Sequence, residues 1–181
     1  MSQTTAIAAV TMALRDLLQS ALTSMGTEVP NLADVLVTTL PVDRARSVHH
    51  RAQLNLTLAT VSENTAMRNA VGLGPRAGTA SGAGTQALDL LYLITAYGPD
   101  DDDVGAQRVL GAALRAVHQQ PVLPAIDLDA LFPGTGAAGT LDQVRVTQAP
   151  LTREQIVAWW LAFHTPYRLS AALQVAGVGL G

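Results

Sequence analysis

Residues 87–98 read Ala87-Leu88-Asp89-Leu90-Leu91-Tyr92-Leu93-Ile94-Thr95-Ala96-Tyr97-Gly98, and Pro99 follows. This is the most continuous apolar run in the chain. It is well short of the roughly 20 residues a bilayer span needs, and its aromatic and β-branched residues with a Gly-Pro stop predict a strand buried on both faces. Asp89 is the odd member: a carboxylate in a buried strand needs a partner such as an Arg, or else that face is open. No catalytic constellation lies on or near the run.

Upstream, Ala52, Leu54, Leu56 and Leu58 alternate with Arg51, Gln53, Asn55 and Thr57, predicting a strand with one face on the core and one facing solvent or a partner. Before it, residues 34–40 read as a short strand ended by Pro41. Arg44, Arg46, His49, His50 and Arg51 form a basic cluster between the two, and the two histidines lack a spaced third ligand for a metal. Residues 4–25 carry Ile7, Val10, Leu14, Leu17, Leu18, Ala21 and Met25 as one helical stripe, with Gly26 expected as a left-handed stop.

Downstream of the central run, Asp100, Asp101, Asp102 and Asp103 precede a helix predicted over 104–120. Carboxylates there cap the helix and complement its dipole, and they lack the alternation and distal Glu of a calcium loop. Pro121 and Pro124 end that helix, and residues 121–140 read as irregular. Gly134, Gly136 and Gly139 have the spacing of a dinucleotide fingerprint but lie between a proline and a strand-like segment at 141–147, so no helix terminus is available for a pyrophosphate. Thr152 and Gln155 form a capping box, with Leu151 and Ile156 placed for a hydrophobic staple, and Ile156, Trp159, Trp160 and Phe163 recur at helical spacing. From Tyr167 the chain alternates again and predicts a terminal strand.

The 181 residues are most simply one domain, large enough to bury roughly 70% of the unfolded chain's surface. The net charge of −3 argues against a nucleic-acid partner, and no apolar run is long enough for membrane insertion. There is no Cys and no Lys, which excludes disulfides, thiolate metal sites, a P-loop lysine and a Schiff base. The N-terminus lacks a basic region followed by an unbroken apolar one, so cytoplasmic synthesis is expected. A long Gly-rich loop at 70–86 separates the second strand from the central one.

The order of these signatures is distinctive: the N-terminal helix, Glu63–Asn69 (ENTAMRN), Leu90–Gly98 (LLYLITAYG), Leu110–Leu123 (LGAALRAVHQQPVL), the capped helix, and Pro166–Ser170 (PYRLS). Over nearly its whole length the chain resembles the cap, or tail-terminator, proteins of extracellular contractile injection systems, phage-tail-like particles of the antifeeding prophage and Photorhabdus virulence cassette type. The resemblance implies an α+β fold, with a mixed or antiparallel sheet of about four strands packed against about three helices. It implies a homohexameric ring whose partners are the chain itself, the inner tube protein and the sheath protein, with no catalytic residues and no cofactor. On that reading Arg44, Arg46, Arg51, Asp100, Asp101, Asp102 and Asp103 are candidate charge contacts between subunits. Leu173, Val175 and Val178 are candidate docking residues of a terminal strand that adds to a sheath strand. A baseplate adaptor of the same machine, or a ligand-binding α+β domain using the Gly-rich loop as a lid, are the alternatives.

Overall fold

The computed structural model describes residues 5–29, 32–47, 50–64, 86–135 and 139–180. The 87–98 run forms strand β3 (Gln86–Tyr97), third of five in a sheet ordered β1-β2-β3-β7-β6. Its neighbours are β2 (Gln53–Glu63) and β7 (Ser170–Leu180), both antiparallel to it, with Ile94 opposite Leu56 on one side and Ala171 on the other. The short β1 (Leu36–Thr38) runs parallel to β2 on one edge, and β6 (Arg145–Ala149) runs antiparallel to β7 on the other. The sheet is therefore mixed, and the fold is α+β.

Alternation along the strands gives the sheet two unlike faces. One carries Leu54, Leu56, Leu90, Tyr92, Ile94, Leu173, Val175 and Val146, all buried. Helices α1 (Ala6–Met25) and α2 (Asp103–Gln119) cover it, through Val10, Leu14, Leu18 and Leu22 from the first and Val109, Ala113 and Val117 from the second. Each fully buried Leu or Ile contributes about 1.5–3 kcal/mol relative to exposure, so this layer dominates the stability. The Tyr92 hydroxyl lies within it, 2.8 Å from Thr11 Oγ1, and burial pushes its pKa up to about 12 although that hydrogen bond opposes the shift.

The opposite face is polar near β1. Asn55 is fully buried, and its side chain takes the place of a strand partner for Leu40: Leu40 N–H donates to Oδ1 (3.0 Å) and Nδ2 donates to Leu40 O (2.8 Å). Thr38 Oγ1 also donates to Asn55 Oδ1, and Gln53 Nε2 donates to Thr38 Oγ1 and to Ala45 O. The expectation that the polar side of 51–57 faces solvent or a partner is corrected here. The 38–45 backbone covers it, because buried carbonyls and amides need partners and these side chains supply them. Further along, Val42, Leu93 and Trp160 form a second, smaller cluster. Beyond that the face opens, and Asp89 is half-buried, accepting from Asn64 Nδ2 at 2.9 Å with Gln174 Nε2 at 3.5 Å.

Several local expectations change. Gly26 ends α1 with right-handed angles (φ −61°), so no left-handed stop operates; glycine is required because a Cβ there would lie 2.4–2.6 Å from Ala33. Residues 121–140 are not wholly irregular: β4 (Ile126–Asp127) pairs with β5 (Thr140–Leu141), and a helical turn α3 (Leu128–Leu131) starts at Asp127, whose carboxylate accepts from Asp129 N and Ala130 N. The 141–147 strand is thereby split between β5 and β6. The Gly-rich 70–86 loop and the His49 position fall almost wholly outside the described residues.

Candidate assembly surfaces

The basic cluster and the acidic run meet where β3 leaves the sheet. Gly98 makes the turn possible, since a Cβ there would lie 1.9 Å from Asp102 O. Asp100 and Asp101 then take left-handed angles (φ 49° and 64°), and Asp102 caps α2, its carboxylate accepting from Val104 N and Gly105 N. Capping is thus what one of the four carboxylates does, as its position before the helix predicts.

Arg46 holds this turn from the other side. Its guanidinium donates to Arg51 O (2.6 Å), His50 O (3.1 Å) and Gly98 O (2.8 Å), its Nε lies 3.4 Å from Asp101, and it sits 5.6 Å from the centre of the Tyr97 ring. Arg168 approaches Asp101 at 3.7 Å. The planar fork of the guanidinium lets two nitrogens serve three carbonyls at fixed positions. Burial raises the Tyr97 pKa, with Arg168 and Arg46 opposing that shift and Asp101 adding to it. A polar pocket of about 320 Å³ opens beside this turn, lined among others by Tyr97, Asp101, Asp103 and Arg168, but its cation and one of its carboxylates already pair with each other.

Of the charged candidates, then, Arg46, Asp101 and Asp102 work inside the chain. Arg44, Arg51, Asp100 and Asp103 are exposed, Arg44 with Asp43 at 3.8 Å. The apolar candidates Leu173, Val175 and Val178 are each fully buried on the α1/α2 side. Their side chains fill the core and so are not available to dock onto a partner, while β6 flanks β7 only from Ala172 to Ala176. Strand addition is also blunted along part of the sheet edges, at β1 and at the start of β6. Gln19 reaches from α1 to the outer edge of β1, accepting from Val37 N (2.9 Å) and donating to Val35 O (2.9 Å). On the other edge, Val146 N donates to Pro121 O and Leu123 N donates to Val144 O. Edges covered in this way resist pairing with further strands.

Two surfaces escaped the sequence reading. Helix α4 (Arg153–Ala162) has its capping box and turns Trp160 onto the sheet, where the Tyr167 ring meets it edge-on at 5.6 Å. Its other side is apolar too, with Val157 50% and Leu161 70% exposed. The signal was present: residues 156–163 are apolar without a break, and a helix apolar all round is normally buried. The second surface is an open groove of about 680 Å³ between α1 and the β4–α3 segment, lined by Ala13, Leu17, Ala21, Pro124, Ala130 and Leu131, with Asp16 and Asp127 also in its lining. No sequence period marks it, because its walls come from segments about 100 residues apart.

Among the described residues no group of three metal-ligating side chains converges, and no helix is long and apolar enough to cross a membrane. A family model described as the Pvc16 N-terminal domain matches residues 9–179. Comparison with curated proteins finds none that matches. Among solved structures, the chain is similar to the PVC sheath/tube terminator of an extracellular contractile injection system in its extended state, with 19% identity and a TM-score of 0.59 over 97% of this chain and 57% of that one. It is likewise similar to the tube-terminating cap of the anti-feeding prophage, with 17% identity and a TM-score of 0.52 over 91% of this chain and 52% of that one. The chain spans a little over half the length of these two structures.

Proposed function

Because the chain belongs to the family of Pvc16 N-terminal domains, we propose that it is a structural terminator, closing the distal end of the inner tube and contractile sheath of a phage-tail-like particle as a homohexameric ring. The observation that carries this reading is the shared fold: a chain matched to the family over nearly its whole length is similar to a sheath/tube terminator in a match that covers 97% of the chain. Occupying the subunit-addition surface of a tube without presenting a new one is sufficient to stop growth, and that needs docking surfaces rather than a reaction. The role is non-enzymatic and takes no cofactor. The exposed Arg44 and Arg51 on one side of the Gly98 turn, and Asp100 and Asp103 on the other, remain the charged contacts of the ring.

The test is to add the purified chain to tube and sheath proteins as they polymerise and to read polymer length and end density by negative-stain electron microscopy. The expected result is shortened polymers with extra density at one end and six-fold views of the cap. Unchanged lengths with no chain bound would overturn the terminator reading.

A further inference from the structure

The exposed ridge of α4 and the groove beside α1 are apolar surfaces of the same chain, one convex and one concave, and they lie on opposite faces of the sheet. Trp160 and Leu93 place α4 on the polar face, whereas α1 and the β4–α3 segment belong to the core on the other face. Val157, Ala158, Leu161 and Ala162 are all exposed along two turns of α4, the i, i+4 pattern by which a helix inserts into an apolar groove. The groove offers the matching stripe, Ala13, Leu17 and Ala21 of α1 facing Pro124, Ala130 and Leu131.

One charge pair agrees with shape, Arg153 at the start of the ridge and Asp127 in the groove. The charged side chains lining the groove are the carboxylates Asp16 and Asp127. Asp16 is paired with Arg15 of its own helix at 2.7 Å, and Asp127 is exposed. The ridge begins at Arg153, which is exposed. The neighbouring Glu154 is held as a carboxylate by its own backbone amide and the Thr152 hydroxyl, which lower its pKa and turn it toward the helix start.

We propose that the α4 ridge of one copy seats in the α1–α3 groove of a second copy of this chain. The two surfaces differ, so the contact is head-to-tail, and repetition of a head-to-tail contact closes into a ring when the rotation permits. The contact deepens the ring reading given above and rests on it for closure at six subunits. Gln19 and the Pro121–Leu123 segment cover the outer edges of β1 and of the start of β6, so a further strand is not invited at those two places.

The absence of cysteine makes the test direct. A double variant, Leu161→Cys with Ala130→Cys, is oxidised over a concentration series and run without reductant. The two sites lie on opposite faces of the sheet, so a bond within one chain is beyond the reach of a disulfide, roughly 4.4–6.8 Å between Cα atoms. The expected result is a ladder of covalent multimers, with each single-cysteine variant stopping at dimers. Adding Val157→Asp, at an exposed site that folding tolerates, is expected to cut the ladder at least tenfold. No ladder, an equal ladder when Leu161→Cys is combined with Ala8→Cys outside the groove, or insensitivity to Val157→Asp overturns the contact. If the ladder fails while the chain still terminates tubes, the ridge-in-groove contact is wrong and the terminator role stands. A ladder from a chain that binds neither tube nor sheath upholds the contact and removes the role.

Discussion

The two faces of the sheet are held by different physics. The α1/α2 face is a layer of Leu, Ile, Val and Ala in which Tyr92 is the one buried ring among the described residues, and its hydroxyl is satisfied by Thr11. The other face is held near β1 by amides and hydroxyls, Gln53 and Asn55 pairing with loop backbone and with Thr38, and further along by the small cluster of Val42, Leu93 and Trp160 under a short helix. Apolar burial tolerates many arrangements of similar volume, whereas a side chain that pairs with a named carbonyl tolerates one. The first face therefore supplies stability, and the second fixes where the 38–46 segment and the Arg46 turn lie. It also leaves α4 only half covered, which is where the proposed subunit contact begins.

The largest expected effect is on the α1/α2 face. Leu54→Ala removes a fully buried side chain on the helix-covered face of the sheet. It is expected to lower unfolding free energy by about 3–4 kcal/mol, read from urea midpoints at unchanged slope. A smaller loss there would mean that the face collapses around the cavity and is less rigidly packed than the geometry requires.

Alkaline pH probes the same face through Tyr92. Its folded pKa of about 12 is above the ordinary value of 10.0, so the folded state keeps a proton that the unfolded state gives up. The stabilisation is fully present below pH 10 and is lost as pH rises from about 10 through about 12. The expected loss is on the order of 2–3 kcal/mol across that window. Tyr92→Phe lacks this tyrosine and is expected to show a correspondingly flatter decline, measured by denaturant titration at each pH; an equal slope in both proteins would show that the ring is wetter than its surroundings imply.

On the polar face, Asn55→Leu keeps the volume but leaves Leu40 N–H and C=O without their side-chain partner. The expected cost is about 2 kcal/mol, with faster amide exchange confined to residues 38–46. If exchange instead rises equally on α1, the two faces do not respond separately and the contrast drawn between them fails.

Several elements could be read before any coordinate was known. The apolar run at 87–98 has the length, branching and stop signals of a buried strand, the α1 stripe has a period that no other structure satisfies, and Thr152 with Gln155 marks a helix start through neighbours in the chain. These are short-range facts, which a linear text carries. Strands β4 and β5, at two residues each, have no period to detect, and their pairing is non-local.

The same division runs through the functional surfaces. Asp102 as a cap was legible because it acts three residues away. Arg46 looked like surface charge, but the fold brings its fork to Gly98 O, 52 residues on. Leu173 and Val175 alternate like any half-buried strand, and composition does not say that a register shift brings Val178 to the same face or that β6 flanks β7 over Ala172–Ala176. What the order of residues settled was the helix and strand inventory, because periodicity, caps and stops act between near neighbours. Which polar groups are buried, which edges are closed and which apolar faces stay open depended on long-range packing, because those properties belong to pairs of segments that only the folded chain brings together.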